Sequence, residues 1–339
     1  MKKLVAALLI GAVVVFIVNL LIDAGVFYQV EEHGTEQCQK IGAIPGVEDI
    51  APLPHGDALA SSVDQYHKTS GALYYLKQGD TPQRLSGDYP TAFFPHGIDV
   101  WQQDGETWVY VVNHRPEGDY IEVFRFDRAE MRLAYQPTMS RSVGNNINDI
   151  AVIDQSRWLL TRDHHWSGLA GRFEDYLRLP LARVLLVDEH GLHTLLDRLH
   201  FANGIYYNQQ RGLLYVAETT TGAVSSWAWH PNGKAPVLVG RLTGLHGVDN
   251  IIPKGDQLLV AAHPQLLKLA AYQKDPQARS PSMVWRLKIS PHGELHDAEI
   301  FYQSDGRALA AISVAAPLGK HVIMGSVFDN GLLLCQAQQ

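Results

Sequence analysis

The sequence predicts an all-β fold, a six-bladed β-propeller whose blades converge on a central channel, preceded by an N-terminal apolar helix. Three observations predict it. Short Val/Ile/Leu/Tyr/Trp runs alternate with Gly, Pro, Asn and Asp clusters, as in "TWVYVVNHRPEGDYIEVFRF", where two strands flank a turn at Arg115 to Asp119. A strand-turn-strand unit recurs: "VEDIAPLP", "HGIDVWQQDGETWVYVVNH", "NDIAVIDQSRWLLTRDHH", "ANGIYYNQQRGLLYVAET", "VDNIIPKGDQLLVAAHP" and "ISVAAPLGKHVIMGSVF" start near 48, 96, 148, 203, 249 and 312. Those starts are 46 to 63 residues apart, the length of a four-stranded propeller blade. Finally, several units open with polar side chains that run directly into an Ile.

In chain order, Lys2 and Lys3 precede "LVAALLIGAVVVFIVNLLI", 19 residues interrupted only by one Gly and one Asn. At ~1.5 Å per residue that run approaches the ~30 Å core of a bilayer. Residues 1–24 therefore read as a membrane anchor, with a cleaved signal as the rival. A signal's apolar region is usually ~7 to 15 residues and ends at a small-x-small site, and "LLIDAG" offers no convincing one. The positive residues put residues 25–339, the propeller, on the periplasmic or exterior side; signal cleavage would instead give a secreted protein. The two cysteines, Cys38 and Cys335, sit at opposite ends of this body. Two buried thiols are one reading; in an exported chain a single disulfide clasping first and last strands is the better one. The longest helical candidate after the anchor, "GRFEDYLRLPLARVLL", is interrupted by Pro180.

Of the 339 residues 46% are hydrophobic and 19% charged, and the formal net charge is −7 with no basic run. That is an ordinary globular composition, and it excludes nucleic acid as a natural partner. No G-x-S-x-G elbow, H-E-x-x-H, P-loop or G-x-G-x-x-G occurs, so serine-hydrolase, zincin and nucleotide chemistries lack their usual support.

In a propeller the first strand of each blade lines the channel, so equivalent positions of successive units meet there. Those positions hold Glu48, Asp49, His96, Asn148, Asp149, Asn203, Asp249 and Asn250. Any one acidic or amide pair beside Ile is ordinary at a strand end or in an Asx turn; three such pairs, each at a blade start and each followed at once by Ile, are not. Calcium takes ~6 to 8 oxygens from carboxylates, amides and backbone carbonyls, whereas zinc favours His and Cys and magnesium retains water. Four carboxylates in one channel repel one another unless cations balance them, and two divalent ions would do so.

The motifs "VEDI", "FPHGI", "VVNH", "NDIAV", "DHH", "FANGI", "VDNI", "HP" and the closing "GSVF…LLC" stand in the order and spacing of the paraoxonase family, which the chain resembles from about Cys38 to Cys335. That family comprises calcium-dependent lactonases and arylesterases. The resemblance implies Glu48, Asn148, Asn203, Asp249 and Asn250 as ligands of a catalytic calcium, and Asp49, Asp149 and the backbone carbonyl of Ile98 as ligands of a structural one. It further implies His96 and His114 as a catalytic histidine pair, and His164 and His263 as channel residues. On that reading calcium polarises a lactone carbonyl, His96 is the general base on water, His114 relays its proton, and the Asn203 and Asn250 amides orient substrate. Phe201 is a pocket candidate, and Phe93 and Phe94 add apolar character; His55 in "LPHGD" and His292 in "SPHGE" read as hairpin surface.

The expected activity is calcium-dependent hydrolysis of lactones, acyl-homoserine lactones among them, with aryl-ester and phosphotriester side activities. Three departures from the family's pattern bear on substrate choice. Arg162 stands before "DHH" and Asp64 lies near an expected apolar pocket position, and the segment after "DHH" is short and charged. The alternatives are a sugar-lactone hydrolase of a related propeller family, or a calcium-stabilised propeller serving as a binding module.

Overall fold

A computed structural model describes residues 1–337. Helix α1 (Lys2–Asp23) is exposed along its length and is long and apolar enough to cross a membrane. The chain after it is tied to the body: Asp23 pairs with Arg178, Leu266 N donates to Ala24 O at 3.0 Å, and Tyr28 Oη donates to Gln303 Oε1 at 2.9 Å.

Six sheets follow, five of four strands and one, the second, of six, all antiparallel except for a short parallel pairing of Ser86 and Gly87 with Arg132 and Leu133 in the second. Strand β1 (Cys38–Pro45) belongs to the last blade. The innermost strand of each blade, in chain order, is β2 (Val47–Pro52), β3 (Pro95–Gln103), β6 (Ile147–Val152), β7 (Ala202–Asn208), β8 (Val248–Lys254) and β9 (Ile312–Leu318), with β4 (Glu106–Arg115) and β5 (Gly118–Asp127) completing the hairpin after β3. Each innermost strand packs on the next, and β9 packs on β2, which closes the ring. The repeat starts read from the sequence fall on these six strands. The first unit also completes its hairpin, with Ala58–Ser62, where the sequence displayed only one strand.

Strand β10 (Asn330–Gln336) lies between β1 and its own blade, and β1 pairs with it in a register that sets Cys38 opposite Cys335. The two cysteines form the expected disulfide across that seam. The core is divided among the blade interfaces, with Ala, Val, Ile and Leu from facing sheets interdigitating in separate clusters around the ring. The interrupted helical candidate resolves into α2 (Gly168–Leu177) and a strand from Ala182 to Asp188. Pro180 forbids the helix from continuing, and the β-branched and leucine run beyond it joins the third blade. A short helix α3 (Leu266–Tyr272) follows the fifth blade's first hairpin.

Candidate functional site

Consecutive polar residues both reach the axis because every innermost strand is irregular at the same point. Its pairing with the next strand slips between Val47 and Ile50, Pro95 and Ile98, Ile147 and Ile150, Ala202 and Ile205, Val248 and Ile251, and Ile312 and Val314. Inside the slips lie Glu48-Asp49, His96-Gly97, Asn148-Asp149, Asn203-Gly204, Asp249-Asn250 and Ser313. A regular strand sends alternate side chains to opposite faces; a bulge re-aims one of them. Two of the slips hold glycine for lack of room. A Cβ on Gly97 would stand 2.5 Å from Asp149 Oδ1, and one on Gly204 2.5 Å from Asp249 O.

Glu48, Asp49, Asn148, Asp149, Asn203, Asp249 and Asn250 are all buried. Burial pushes the Glu48 carboxyl well above its ordinary range, and Asp249, Asp49 and Asp149 push it further. Burial also raises Asp149, helped by Asp49, and brings Asp49 to about 7 against the pull of its backbone hydrogen bonds. Four oxygens there, Glu48 Oε2, Asn148 Oδ1, Asn203 Oδ1 and Asn250 Oδ1, have no hydrogen-bond partner among the described residues. The amide nitrogens of two are engaged elsewhere: Asn250 Nδ2 donates to Glu48 O at 3.0 Å and Asn203 Nδ2 to Thr219 Oγ1 at 3.1 Å. With one N–H of each engaged there, these asparagines turn their Oδ1 atoms to the unpartnered side. Unpartnered buried acceptors are costly, and a hard divalent cation satisfies acceptors of this type. Among the described residues no three His, Cys, Asp or Glu side chains gather to hold a metal by themselves, so a cage on the axis needs these amides and backbone carbonyls. The donor set fits calcium.

Asp49 and Asp149 are held differently. Asp49 accepts the amides of Ile50 at 2.8 Å and of Ile98 in the next blade at 2.9 Å. Asp149 accepts those of Ile150 at 2.7 Å and of Ile205, again one blade on, at 2.9 Å. Asp99, which the sequence did not single out, repeats the device with Val100 and Val152 at 2.8 and 2.7 Å. These carboxylates stitch blade to blade. Asp49, Asp149 and Ile98 open onto a cavity of about 480 Å³ at the far ends of the innermost strands.

At the near ends a second cavity, about 400 Å³, holds the histidines. The His96 and His114 rings are 4.8 Å apart, and His96 Nε2 is 3.5 Å from Glu48 Oε1. Burial, with a contribution from His114, holds His96 well below the usual imidazole range, so it is neutral at pH 7. His114 Nδ1 lies 2.7 Å from Asp119 Oδ1. His164 bridges Asp163 at 2.9 Å and Asp175 of α2 at 3.0 Å, and packs edge-on against Phe201. Burial alone would lower the His164 pKa, but the two carboxylates override it and raise it to about 10. His263 is buried with Nε2 2.7 Å from Asp249 Oδ2, outside this cavity's lining.

Phe201 lines the cavity, whereas Phe93 does not: it is fully buried against Tyr89 and Phe124, in the blade interface. Apart from Ile147 the remaining lining is polar, with Asp119, Asn145, Asn146, Asn148, Asp163 and Ser167 beside the three histidines. Asp64 accepts the amides of Tyr66 and His67 in a turn outside that lining, and His55 and His292 are exposed in turns. Sequence reasoning missed Asp119, which sits within the turn-like "RPEGD" yet faces His114 directly across the β4–β5 ladder. It also missed Thr219 and Ser313, the latter donating to Glu48 O at 2.8 Å.

A family model described as Arylesterase matches residues 38–336. The chain is 27% identical to serum paraoxonase/lactonase 3 of Homo sapiens, over 98% of this chain and 99% of that one. It is 28% identical to serum paraoxonase/arylesterase 2 of Bos taurus, over 90% of each. Among solved structures, a luciferin-regenerating enzyme superposes with TM-score 0.51 at 12% identity, covering 88% of this chain and 95% of that chain. A putative gluconolactonase gives TM-score 0.51 at 11% identity, covering 89% and 94%. These two share the propeller fold.

Proposed function

The chain belongs to the arylesterase family, and from that premise we propose that it is a calcium-dependent hydrolase of lactones and aryl esters. Relatives along the whole chain are named for lactonase and arylesterase activities, which supports ester hydrolysis in general. The observation that carries calcium dependence is the set of four buried, unpartnered oxygens of Glu48, Asn148, Asn203 and Asn250, beside His96. With Asp249 they would hold the catalytic ion; Asp49, Asp149 and the Ile98 carbonyl would hold a second, structural one.

A calcium ion bound there supplies a Lewis acid for the ester carbonyl. His96, kept neutral by burial and by His114, takes a proton from water as the water oxygen bonds to the carbonyl carbon. The ring C–O bond then breaks, and the proton returns to the departing alkoxide to give the hydroxy acid. Glu48 Oε1, 3.5 Å from His96 Nε2, and the His114 ring, 4.8 Å away, flank the imidazole that receives the proton. His164 and Phe201 wall the acyl side. Helix α1, with Lys2 and Lys3 at its start, supports a membrane-anchored enzyme whose propeller faces the periplasm or exterior.

A second reading concerns the substrate. Nine polar side chains around the cavity, against Ile147 and Phe201 alone, favour a short or polar acyl group, as in a sugar lactone, over a long acyl chain.

The test is hydrolysis of a long-chain lactone, a short polar lactone and an aryl ester by the full chain in detergent, before EDTA, after it, and with calcium restored. Activity lost and then recovered is the expected result, and the chain-length ratio assigns the acyl pocket. A folded, calcium-loaded protein that hydrolyses none of the three would overturn the proposal.

A further inference from the structure

We infer that Asp119 is a positioning residue of the histidine pair, fixing the proton of His114 on Nδ1 so that Nε2 is free to accept; the inference rests on the hydrolase reading above. The β4–β5 ladder sets Asp119 directly opposite His114. One carboxylate oxygen is 2.7 Å from His114 Nδ1, and the other accepts the amide of Ile147, one residue before Asn148, at 2.8 Å. The carboxylate is therefore held from both sides, and the Asp119 side chain is only 9% exposed, whereas the His114 side chain is 38% exposed. The carboxylate is the buried, doubly bonded partner and the imidazole the more exposed one.

The neighbouring charges leave Asp119 to this task. Arg115, the next cation along the strand, is drawn to Glu122 at 2.6 Å, reaches Glu117 at 3.6 Å, and lies over the Tyr120 ring. Glu122 is completely buried and also accepts from Asn113 and Tyr135. Among the described residues His114 is the only ion-pair partner of the Asp119 carboxylate. The other titratable groups facing His114 are His96 from β3, with Glu48 behind it, and Asp163 and His164 across the cavity.

An ionised carboxylate only accepts hydrogen bonds, so the proton between the two residues resides on Nδ1. Nε2 then carries the lone pair that can receive the proton His96 takes from water, and the charge that results on His114 sits beside Asp119. The carboxylate stays ionised throughout, and the proton later travels back to the alkoxide. Orientation, tautomer and charge are supplied by one residue, as in other carboxylate-histidine pairs.

The experiment compares wild type, Asp119→Asn and Asp119→Glu by kcat, KM, pH profile and ¹⁵N spectra of the imidazoles in the full chain. In Asp119→Asn the amide oxygen is kept by the Ile147 N–H, the amide nitrogen faces Nδ1, and the tautomer reverses. The expected result is a fall in kcat of about 10²- to 10⁴-fold, a small change in KM, an acidic limb moved to lower pH, and the His114 proton on Nε2. Asp119→Glu retains an acceptor and should recover part of the activity with the wild-type tautomer. Unchanged kcat and pH profile in Asp119→Asn, or a wild-type proton on Nε2, would overturn the inference. Should Asp119→Asn fail to fold, the wild-type spectrum and Asp119→Glu decide it. A wild type without esterase activity would sink the hydrolase reading, and the tautomer spectrum would still decide what Asp119 does.

Discussion

Asp149 and Asp249 sit in equivalent bulges on the innermost strands of the third and fifth blades, yet removing each should do different things. The Asp149 carboxylate holds two buried amides, one of them in the next blade, and its own N–H donates to Thr161 Oγ1 at 2.9 Å. In Asp149→Ala those amides lose their acceptor, at about 1–3 kcal/mol each, and the melting temperature should drop by several degrees. Asp249 meets one side chain, His263, at 2.7 Å and otherwise contributes charge beside Glu48. Asp249→Ala should abolish hydrolysis while changing the melting temperature little, because it relieves repulsion as it removes a ligand. Calorimetry with parallel activity assays checks this, and equal melting temperatures for both variants and wild type would sink the division into two ions. The axial residues were legible in the sequence because backbone repetition placed chemically similar side chains at equivalent points. Asp119 was not, since its role comes from a cross-strand register that a turn-like sequence conceals, and Phe93 misled because its neighbours in sequence are cavity residues while its side chain faces the blade interface.

At the scale of elements, the bulged innermost strand and the helix α2 show opposite relations to sequence. The bulge was visible as a polar pair running into Ile, repeated around the ring, although nothing in one sequence states that the pairing slips there. Helix α2 was half visible: Pro180 marked an end, but the groups that hold the helix down are scattered. Glu174 is buried and accepts the amides of His165 and Trp166 at 2.9 and 2.6 Å, and Asp175 reaches His164. On the outer face Leu169, Phe173 and Tyr176 are exposed. The His164 tie makes α2 sensitive to alkali and not to mild acid. With its pKa raised from the ordinary ~6.5 to about 10, the imidazolium contributes stability that is fully present below about pH 6.5 and is lost as pH rises through about 10. Limited proteolysis of α2 should accordingly be slowest below about pH 6.5 and accelerate progressively as pH rises toward 10, with far-ultraviolet circular dichroism of the blades unchanged. Protection already lost at pH 8 would mean that the ion pair is not what holds the helix.

For the whole molecule, the seam that closes the ring and the proposed cation site are directly joined. The Cys38–Cys335 bond spans 297 residues of sequence, and the strand it fastens, β1, leads within two residues of its end into β2, which carries Glu48. Across the seam, Ser313 of β9 donates to the carbonyl of Glu48 at 2.8 Å, and β9 packs on β2. Closing so long a loop in the unfolded chain is worth on the order of 5 kcal/mol in the entropic picture. Loss of the bond should therefore lower the unfolding midpoint, and because fraying at β1 reaches Glu48 first, it should also weaken the cation cage before any blade melts. The measurement is a paired titration of Cys335→Ser and wild type, with urea at saturating calcium and with a calcium chelator in the absence of urea. Both midpoints should move to lower denaturant and lower chelator in the variant, with activity at saturating calcium kept. A lowered urea midpoint with an unchanged chelator midpoint would mean that the disulfide stabilises the ring without reaching the axis, and the mechanical link between seam and site would have to be abandoned.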